Sequence, residues 1–333
     1  MKVSFISIIL PIRNEEKCIT KCLESAVNQD YGKSNYEILI IEGMSTDNTM
    51  TIIKRFMQKY DNIRLFNNPK MIAPTAMNIG ISQAKGEVII RLDGHSTFEK
   101  DYLSQCVKYL EKTESDCVGG VIKSINETTM GKAIALAMSC PFGVGNARFR
   151  TSGSEGYVDT LAFGAYRKEV FDKIGLFDEE LVRAQDEEFN YRLRKAGGGI
   201  FFTPKIKSYY FPRANLKKLW RQYFGYGLWK IRVLQKHLKT MQLRHFIPAL
   251  FIVSLIGSLV LGLLWKPMFW IFAFISIIYL LTSLAFSARI SLKQGFKYFP
   301  ILPIIFSTLH FSNGAGFLIG LVRFFRYWGK ENQ

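Results

Sequence analysis

Two long uncharged runs near the C-terminal end constrain this chain of 333 residues more than any other feature. Residues 246–264 and 268–288 contain no charged side chain, and only Trp265, Lys266 and Pro267 separate them. As a helix, the first run would be about 28 Å long, which is enough to cross the hydrocarbon core of a bilayer. The two runs therefore predict a tight hairpin of membrane-spanning helices, and a buried helix pair of a soluble protein is a poor alternative.

A third apolar run, residues 298–322, has two possible topologies. It contains Pro300, Pro303, His310 and several glycines, so that either a spanning or a re-entrant segment fits. A spanning helix would put the basic tail, residues 323–333, on the side opposite to the other basic segments, against the positive-inside rule. We therefore favour a re-entrant or shallow segment, with His310 as a packed side chain.

The net charge of +17 is confined to the C-terminal part. Residues 1–200 contain 26 basic and 26 acidic residues, whereas residues 201–333 contain 18 Lys and Arg and a single acid, Glu331. Because the basic residues alternate with apolar ones, an anionic membrane is favoured as the partner over nucleic acid. Residues 205–245 predict a basic amphipathic helix at the membrane surface, and the positive-inside rule puts the N-terminal part in the cytoplasm, against the inner cell membrane.

Residues 1–204 predict a doubly wound α/β domain, because short apolar runs alternate with amphipathic stretches. The predicted strands are residues 5–10, 36–41, 63–66 and 87–92, and the predicted helices are residues 14–28, 46–60 and 74–84. Such sheets bind ligands at the carboxyl ends of their strands. Neither G-x-G-x-x-G nor a P-loop motif occurs, so that a dinucleotide site and a P-loop are not supported.

Asp93 and His95 follow the fourth predicted strand and flank Gly94. A carboxylate and an imidazole at this spacing can face one divalent cation, Mg²⁺ or Mn²⁺, and imidazole slightly favours Mn²⁺. Such a cation would stabilise a departing diphosphate. Asp-Gly is also ordinary turn chemistry, but acids at two other strand ends favour the metal. Arg91 shares a strand face with Asp93 and could contact phosphate or hold that carboxylate in place.

Asp186 lies at the start of a predicted helix that ends at Gly197. A carboxylate at a helix start could take a proton from a hydroxyl nucleophile at the edge of a cleft. The alternative is that Asp186, Glu187 and Glu188 only complement the helix dipole, as acids in a first turn often do.

Together these motifs resemble the family 2 glycosyltransferases with the GT-A fold, a doubly wound mixed sheet, here followed by C-terminal membrane helices. The resemblance extends from about residue 5 to about residue 230 and is strongest to bacterial exopolysaccharide enzymes of the succinoglycan-biosynthesis type. The matched segments are residues 11–16, 42–47, 76–78, 93–95 and 185–187.

The resemblance implies a nucleotide-sugar site. Pro11, Arg13, Glu15 and Glu42 would line the nucleoside pocket, and Asn78 would lie near the donor ribose or sugar. The family usually has Asp where Glu42 stands, so that the longer side chain would alter the contacts to the nucleoside.

The resemblance also implies the reacting groups. Asp93 and His95 would bind the metal and the diphosphate, and Asp186 would be the general base. The common Asp-x-Asp motif is Asp-x-His here, which would change how tightly the metal is held or which metal is chosen.

The resemblance would put Asp159 and Gln222 on the acceptor side, although residues 157–164 suit a core strand equally well. Gly225 stands where the Gln-x-x-Arg-Trp motif of processive members has Arg, which favours transfer of one sugar per acceptor. The resemblance and the membrane segments together imply a membrane-bound inverting transferase that moves a sugar from a UDP-sugar or similar donor to a lipid-linked saccharide in cell-surface polysaccharide biosynthesis. The alternatives are a polyprenyl-phosphate sugar synthase and a non-catalytic nucleotide-binding membrane scaffold.

Overall fold

The computed structural model describes residues 4–145, 148–151, 153–212, 214–238 and 245–328. The chain divides into two compact units. The sheet unit consists of Met1–Lys123 and Arg148–Phe211, and the helical unit consists of Ser124–Ala147 and Pro212–Gln333. The segment between residues 124 and 147 therefore belongs to the helical unit, although the sequence predicts it as part of the N-terminal domain.

The sheet unit is built on nine strands within the described residues. They are β1 Ile6–Ile12, β2 Tyr36–Glu42, β3 Ile63–Asn67, β4 Val88–Arg91, β5 Ser96–Phe98, β6 Cys117–Ser124, β7 Gly156–Tyr157, β8 Ala165–Arg167 and β9 Ile200–Tyr210. The strand order is β3-β2-β1-β4-β8-β6-β9-β5, with β7 paired to β9. The pairs of β1 with β2 and β4, and of β2 with β3, are parallel, whereas β8 pairs antiparallel with β4 and β6. This arrangement confirms the doubly wound mixed sheet.

The register places the candidate loops at one end of the sheet. Ile12 in β1 pairs with Glu42 in β2, the last residues of their strands, and Ile9 pairs with Arg91 in β4. The loops that follow β1, β2 and β4 therefore leave the sheet side by side, as expected of parallel neighbours.

The helices of the sheet unit cover this sheet. They are α1 Ile19–Val27, α2 Thr49–Met57, α3 Ala73–Gln83, α4 Tyr102–Thr113, α7 Arg148–Thr151, α8 Glu169–Ile174 and α9 Gln185–Lys195. Leu39 in β2, Met77 in α3 and Phe189 in α9 belong to one buried core. A side chain at Gly80 of α3 would lie 2.4 Å from the side chain of Ile9, so that only glycine lets α3 approach β1 this closely.

The helical unit contains the apolar C-terminal helices. Its helices are α5 Thr129–Met138, α6 Pro141–Val144, α10 Leu216–Lys236, α11 Ile247–Leu264, α12 Met268–Gln294 and α13 Leu302–Arg323. Within the described residues, α11, α12 and α13 are long and apolar enough to cross a membrane. The run that was ambiguous in sequence forms the uninterrupted helix α13, and Pro303 lies in its first turn, where proline breaks no helical hydrogen bond. A re-entrant turn is therefore not formed within α13.

The apolar face of α10 is buried in protein. Gly227 of α10 lies so close to α13 that a side chain there would lie 2.0 Å from the carbonyl oxygen of Asn313. Leu228 and Ile231 share a core with Phe317 of α13. Glycine at such crossings lets helix backbones approach. The apolar spacing within α10 thus reflects packing on α13 rather than a free apolar face, and residues 205–210 belong to β9. Residues 213 and 239–244 of the predicted amphipathic segment lie outside the described residues, and its place at the membrane surface stays a prediction.

His310 is packed inside the helical unit, as the sequence predicts. Its Nδ1 lies 2.9 Å from the hydroxyl of Tyr279, and its Nε2 lies 2.7 Å from the carbonyl oxygen of Phe142. A carbonyl oxygen only accepts, so that Nε2 carries the proton and Nδ1 accepts from the tyrosine.

Candidate active site

The loops after β1 and β2 support each other through side-chain hydrogen bonds. The backbone N–H of Asn14 donates to Ser45 Oγ (2.9 Å), and the backbone N–H of Thr46 donates to Asn14 Oδ1 (2.8 Å). Asn14 and Met44 both have a left-handed backbone, with φ of 52° and 58°, a conformation that persists when the surrounding structure enforces it. These residues form hydrogen bonds between the two loops instead of helical ones. The helices α1 and α2 therefore begin a few residues later than the sequence predicts.

Glu42 shapes the second of these loops. Its carboxylate accepts the backbone N–H groups of Met44 (3.0 Å) and Ser45 (2.6 Å), and the residue is only 2% exposed. The carboxylate thus fixes the turn that follows β2, and its contact with a nucleoside stays a prediction.

Pro11 and Arg13 flank the same loop from β1. Pro11 is half-buried and Arg13 is exposed. The Cβ and Cδ atoms of Arg13 lie 3.3 and 3.4 Å from the point where a Cβ of Gly43 would stand. Arg13 therefore covers Gly43, at the turn that Glu42 fixes.

Asn78 binds protein groups in the structure. Its Nδ2 donates to the carbonyl oxygen of Phe177 (2.9 Å) and to Glu179 Oε1 (3.1 Å), and its Oδ1 accepts the backbone N–H of Phe177 (2.9 Å). Asn78 thus ties α3 to the segment before α9. The structure does not bring Asn78 into contact with Asp93 or Asp186, and the predicted sugar contact stays a prediction.

Arg91 brings together two acids that are far apart in sequence. Its Nη2 lies 3.4 Å from Asp93 Oδ1, and its Nη1 lies 3.7 Å from Asp186 Oδ2. Burial acts to lower the pKa of the Arg91 guanidinium, but the charges of Asp93 and Asp186 outweigh it, and the pKa is raised. The three residues therefore form one charged centre at the carboxyl end of β4.

This centre is not saturated by protein contacts. The Nε and Nη1 atoms of Arg91 are buried and have no hydrogen-bond partner among the described residues. The ion pair from Nη1 to Asp186 is too long to be a hydrogen bond. A buried donor without an acceptor is costly, so that an anion at this position would stabilise the site.

Asp186 is held at the start of α9. Its Oδ1 accepts the backbone N–H of Glu187 (2.9 Å), and its side chain is 31% exposed, so that a substrate can reach it. Glu188, in contrast, is buried and forms an ion pair with Arg192 at 2.7 Å. The structure therefore distinguishes an accessible acid, Asp186, from an acid with a purely structural partner.

Asn190 ties α9, the helix whose first turn contains Asp186, to neighbouring segments, and the sequence did not single it out. It is fully buried one turn after Asp186. Its Nδ2 donates to Thr160 Oγ1 and to the carbonyl oxygen of Leu161, and its Oδ1 accepts from the hydroxyl of Tyr166, all at 2.9 Å. A polar residue on the buried face of an otherwise amphipathic helix was the available signal.

Asp159, predicted on the acceptor side, precedes Thr160 and is half-buried. Through Thr160, which accepts from Asn190, its segment is tied to α9. Gln222, predicted on the same side, lies on α10 of the helical unit, where its Nε2 donates to the hydroxyl of Tyr226 (2.9 Å). Neither acceptor role is shown by these contacts.

Glu15 holds His95 in one orientation. The Nδ1 of His95 lies 2.9 Å from Glu15 Oε1, and the imidazole ring meets the ring of Tyr210 edge-on, with centroids 5.0 Å apart. A carboxylate that accepts from Nδ1 leaves the Nε2 lone pair available, and carboxylates commonly orient metal-binding histidines in this way. Glu15 thus contacts the predicted metal ligand, although the sequence places it in the nucleoside pocket.

The residues present fit a divalent cation that is shared with a substrate. Among the described residues, no three or more His, Cys, Asp and Glu side chains cluster as a complete metal site. Asp93 and His95 would supply two ligands. Mg²⁺ in phosphate chemistry is usually bound by one or two carboxylates plus substrate phosphates and water, so that two protein ligands suffice.

Comparison with known proteins identifies a family and close relatives. Residues 7–175 match the family model described as glycosyl transferase family 2. A relative from Methanococcus voltae is 33% identical over 329 residues, which cover 96% of this chain and 98% of the relative. It is the dolichyl N-acetyl-alpha-D-glucosaminyl phosphate 3-beta-D-2,3-diacetamido-2,3-dideoxy-beta-D-glucuronosyltransferase. The succinoglycan biosynthesis protein ExoA of Rhizobium meliloti is 29% identical over 322 residues, 96% of each chain.

Solved structures share the fold. The mannosyltransferase PcManGT of Pyrobaculum calidifontis, in complex with GDP-Man and Mn²⁺, is 15% identical with a TM-score of 0.59, over 93% of this chain and 87% of that chain. TarS of S. aureus in complex with UDP-GlcNAc is 18% identical with a TM-score of 0.52, over 96% of this chain and 91% of that chain. At these identities the likeness shows the fold alone.

Proposed function

The chain belongs to glycosyl transferase family 2, and from this premise we propose that it moves a sugar from a UDP-sugar to a lipid-linked saccharide, with inversion at the anomeric carbon. The reaction takes place at the cytoplasmic face of the cell membrane and serves the synthesis of a cell-surface polysaccharide. One observation carries the proposal: Arg91 joins Asp93 and Asp186 in one centre that is not saturated by protein contacts.

The relatives support the two substrate classes. The relative from Methanococcus voltae is named for transfer to a dolichyl phosphate-linked sugar, and the relative from Rhizobium meliloti is named for succinoglycan biosynthesis. TarS was solved with UDP-GlcNAc and PcManGT with GDP-Man and Mn²⁺. The three apolar helices of the helical unit agree with a lipid-anchored acceptor.

Asp186 is the general base of this mechanism. Its partly exposed carboxylate takes the proton from the acceptor hydroxyl, the hydroxyl oxygen forms a bond with the anomeric carbon, and the bond from that carbon to the diphosphate oxygen breaks. A single displacement of this kind inverts the anomeric configuration. A positioned base typically contributes about 10²- to 10⁴-fold to the rate.

Arg91, Asp93 and His95 act on the departing diphosphate. The unsatisfied Nε and Nη1 atoms of Arg91 donate to its oxygens. Asp93 and His95 would hold a divalent cation, which supplies Lewis-acid stabilisation of the diphosphate when it is bound. Glu15 keeps the His95 ring in the required orientation.

Product analysis tests this function. Full-length protein in membranes is incubated with a panel of UDP-sugars and either a lipid-linked saccharide or bare polyprenyl phosphate, with Mg²⁺, Mn²⁺ or EDTA. We expect one added sugar on the saccharide, with the anomeric configuration opposite to that of the donor by NMR, and no product with EDTA. A sugar on the bare polyprenyl phosphate would instead establish the synthase alternative, and the absence of any product with all donors would contradict the proposal. Long polymers would contradict transfer of one sugar per acceptor.

A further inference from the structure

Arg150 of α7 has a buried donor for which the described residues supply no acceptor. Its Nη1 atom is buried and has no hydrogen-bond partner among the described residues. No ion pair of Arg150 with an acidic side chain is present in the part of the chain that the structure describes. Its described contacts are with two aromatic rings, those of Phe149 and Tyr210, each with its centroid 5.6 Å from the guanidinium carbon. The mechanism above gives this cation no role.

Tyr210 connects Arg150 to the candidate active site. This tyrosine is the last residue of β9 and is only 6% exposed. Its ring contacts both the Arg150 guanidinium and the edge of His95. Phe149, next in sequence, packs against the core of the sheet unit and holds α7 in place. The Tyr210 ring therefore links Arg150 to the histidine that Glu15 orients.

The acids around His95 have other partners. Glu15 accepts from His95, and Asp93 is paired with Arg91. A guanidinium that lies against a ring keeps its charge and its fork of N–H donors, and this fork matches the oxygens of a phosphate. On the proposed function, on which this step rests, phosphate occurs in the donor diphosphate and in the phosphate that links the acceptor saccharide to its lipid.

We propose that Arg150 binds a substrate phosphate beside the Asp93–His95 pair. The guanidinium donates from Nη1 to a phosphate oxygen. The Tyr210 ring, which also contacts His95, holds the guanidinium in position. If the phosphate is that of the donor, Arg150 shares the diphosphate with Arg91. If it is that of the lipid carrier, Arg150 orients the acceptor towards Asp186.

The test compares Arg150→Gln and Arg150→Lys with Arg148→Gln as the control. Arg148 is an exposed residue of the same short helix, so that its variant removes the same charge without removing the buried donor. Full-length proteins in an uncharged detergent are compared for thermal unfolding, for the Kd of UDP by calorimetry, and for the KM of the UDP-sugar. The KM of the acceptor is measured twice, with the saccharide on a phosphate-containing lipid and on an uncharged lipid.

Loss of a charge-assisted hydrogen bond predicts an increase of about 10- to 100-fold in one of these constants for Arg150→Gln. A higher Kd of UDP and a higher KM of the UDP-sugar would identify the donor phosphate. A higher KM for the phosphate-containing acceptor alone would identify the lipid phosphate. Arg150→Lys keeps the charge and should recover part of the loss, and Arg148→Gln should behave like wild type.

Two results would overturn the inference. The first is an Arg150→Gln protein whose Kd and KM values equal those of Arg148→Gln. The second is a lower unfolding temperature in both Arg150 variants with unchanged Kd and KM values, which would make the cation a structural partner of its two rings. Wild-type protein without any turnover would count against the proposed function instead, and the UDP-binding comparison would still decide whether Arg150 contacts the donor.

Discussion

The acidic side chains at the two ends of the parallel strands have opposite kinds of surroundings. Glu37, near the start of β2, accepts from the Ser7 hydroxyl (2.7 Å), the Lys85 backbone N–H (2.7 Å) and the Arg64 guanidinium (2.8 Å). At the other end of the sheet, Asp93 and Asp186 meet Arg91 only at 3.4 and 3.7 Å.

The difference shows that burial of an acid does not by itself mark a site. Burial acts to raise the pKa of Glu37, but its bonds from Lys85, Arg64 and Ser7 outweigh burial and hold the pKa below its ordinary value. Every one of these partners is internal to the fold. In contrast, two buried donors of Arg91 have no acceptor within the part of the chain that the structure describes, and such unsatisfied buried groups are the ones that point to a ligand.

The Asp186→Asn variant tests the site at the carboxyl ends of the parallel strands, and we expect it to have the largest effect on kcat. Asparagine keeps the size of the side chain but takes up no proton, so that we expect kcat to fall by about 10²- to 10⁴-fold. Single-turnover and steady-state rates with saturating donor would measure the loss, with Glu187→Gln as the control on the same helix turn. A kcat within a few-fold of wild type would remove the base role and favour an acceptor that is already ionised, such as a phosphate.

The Asp93→Asn variant should be the next most damaging. It removes a carboxylate that would stabilise the cation at the departing diphosphate, and loss of one such electrostatic group costs about 10²- to 10³-fold in kcat. We expect wild-type turnover to stop with EDTA and to return with Mn²⁺ or Mg²⁺, and the variant to respond weakly to either ion. Asp172→Asn, at an exposed position of α8, is the matched control. Equal metal titrations for the variant and wild type would show that Asp93 is no ligand.

The Glu15→Gln variant sharpens the comparison, because Glu15 orients His95. Glutamine has nearly the same shape but holds the imidazole less firmly, and loss of such an orienting partner typically costs about 10- to 100-fold in metal affinity or activity. The cation concentration for half-maximal rate should rise more than kcat falls. Glu24→Gln, exposed on α1, should leave both unchanged. An effect on the KM of the UDP-sugar alone would support the predicted place of Glu15 in the nucleoside pocket.

The parallel half of the fold was predictable because its strands are apolar and regular. The runs that became β1 to β4 are bounded by polar loops, and their carboxyl ends carry the acids that the site uses. The antiparallel strands β5, β7 and β8 are three, two and three residues long, too short for a periodic pattern. The apolar residues of α5 likewise do not reveal which unit they pack in. The spacing of apolar residues indicates which helix face is buried, but not which element covers that face.

The sequence predicted those site residues that follow directly from a strand end or a helix start. It did not predict contacts between residues that are far apart in the chain. Arg91, Asp93 and Asp186 follow from strand ends and a helix start, and the structure brings them together. The bond from His95 to Glu15 joins residues 80 positions apart, and Asn78 meets Phe177 across 99 positions. Pairings of this kind depend on the register of the sheet, which no local motif encodes.

The Glu37→Gln variant tests the amino ends of the parallel strands, where the hydrogen-bond partners of the acid named above all belong to the fold. We expect it to have the smallest effect on catalysis. The folded-state pKa of Glu37 is depressed, so that its stabilising contribution is present above the ordinary carboxyl pKa and is lost as the pH falls through the lower, folded-state pKa. At pH 7 we expect the variant to be less stable by about 1–3 kcal/mol, because charged hydrogen bonds become neutral ones, with kcat unchanged. The difference from wild type in thermal unfolding should shrink below about pH 4, where the carboxylate is increasingly protonated in the unfolded chain. A stability difference that does not depend on pH would show that the charge of Glu37 does not stabilise the fold. A loss of kcat comparable to that of Asp93→Asn would show that the role of Glu37 is not purely structural.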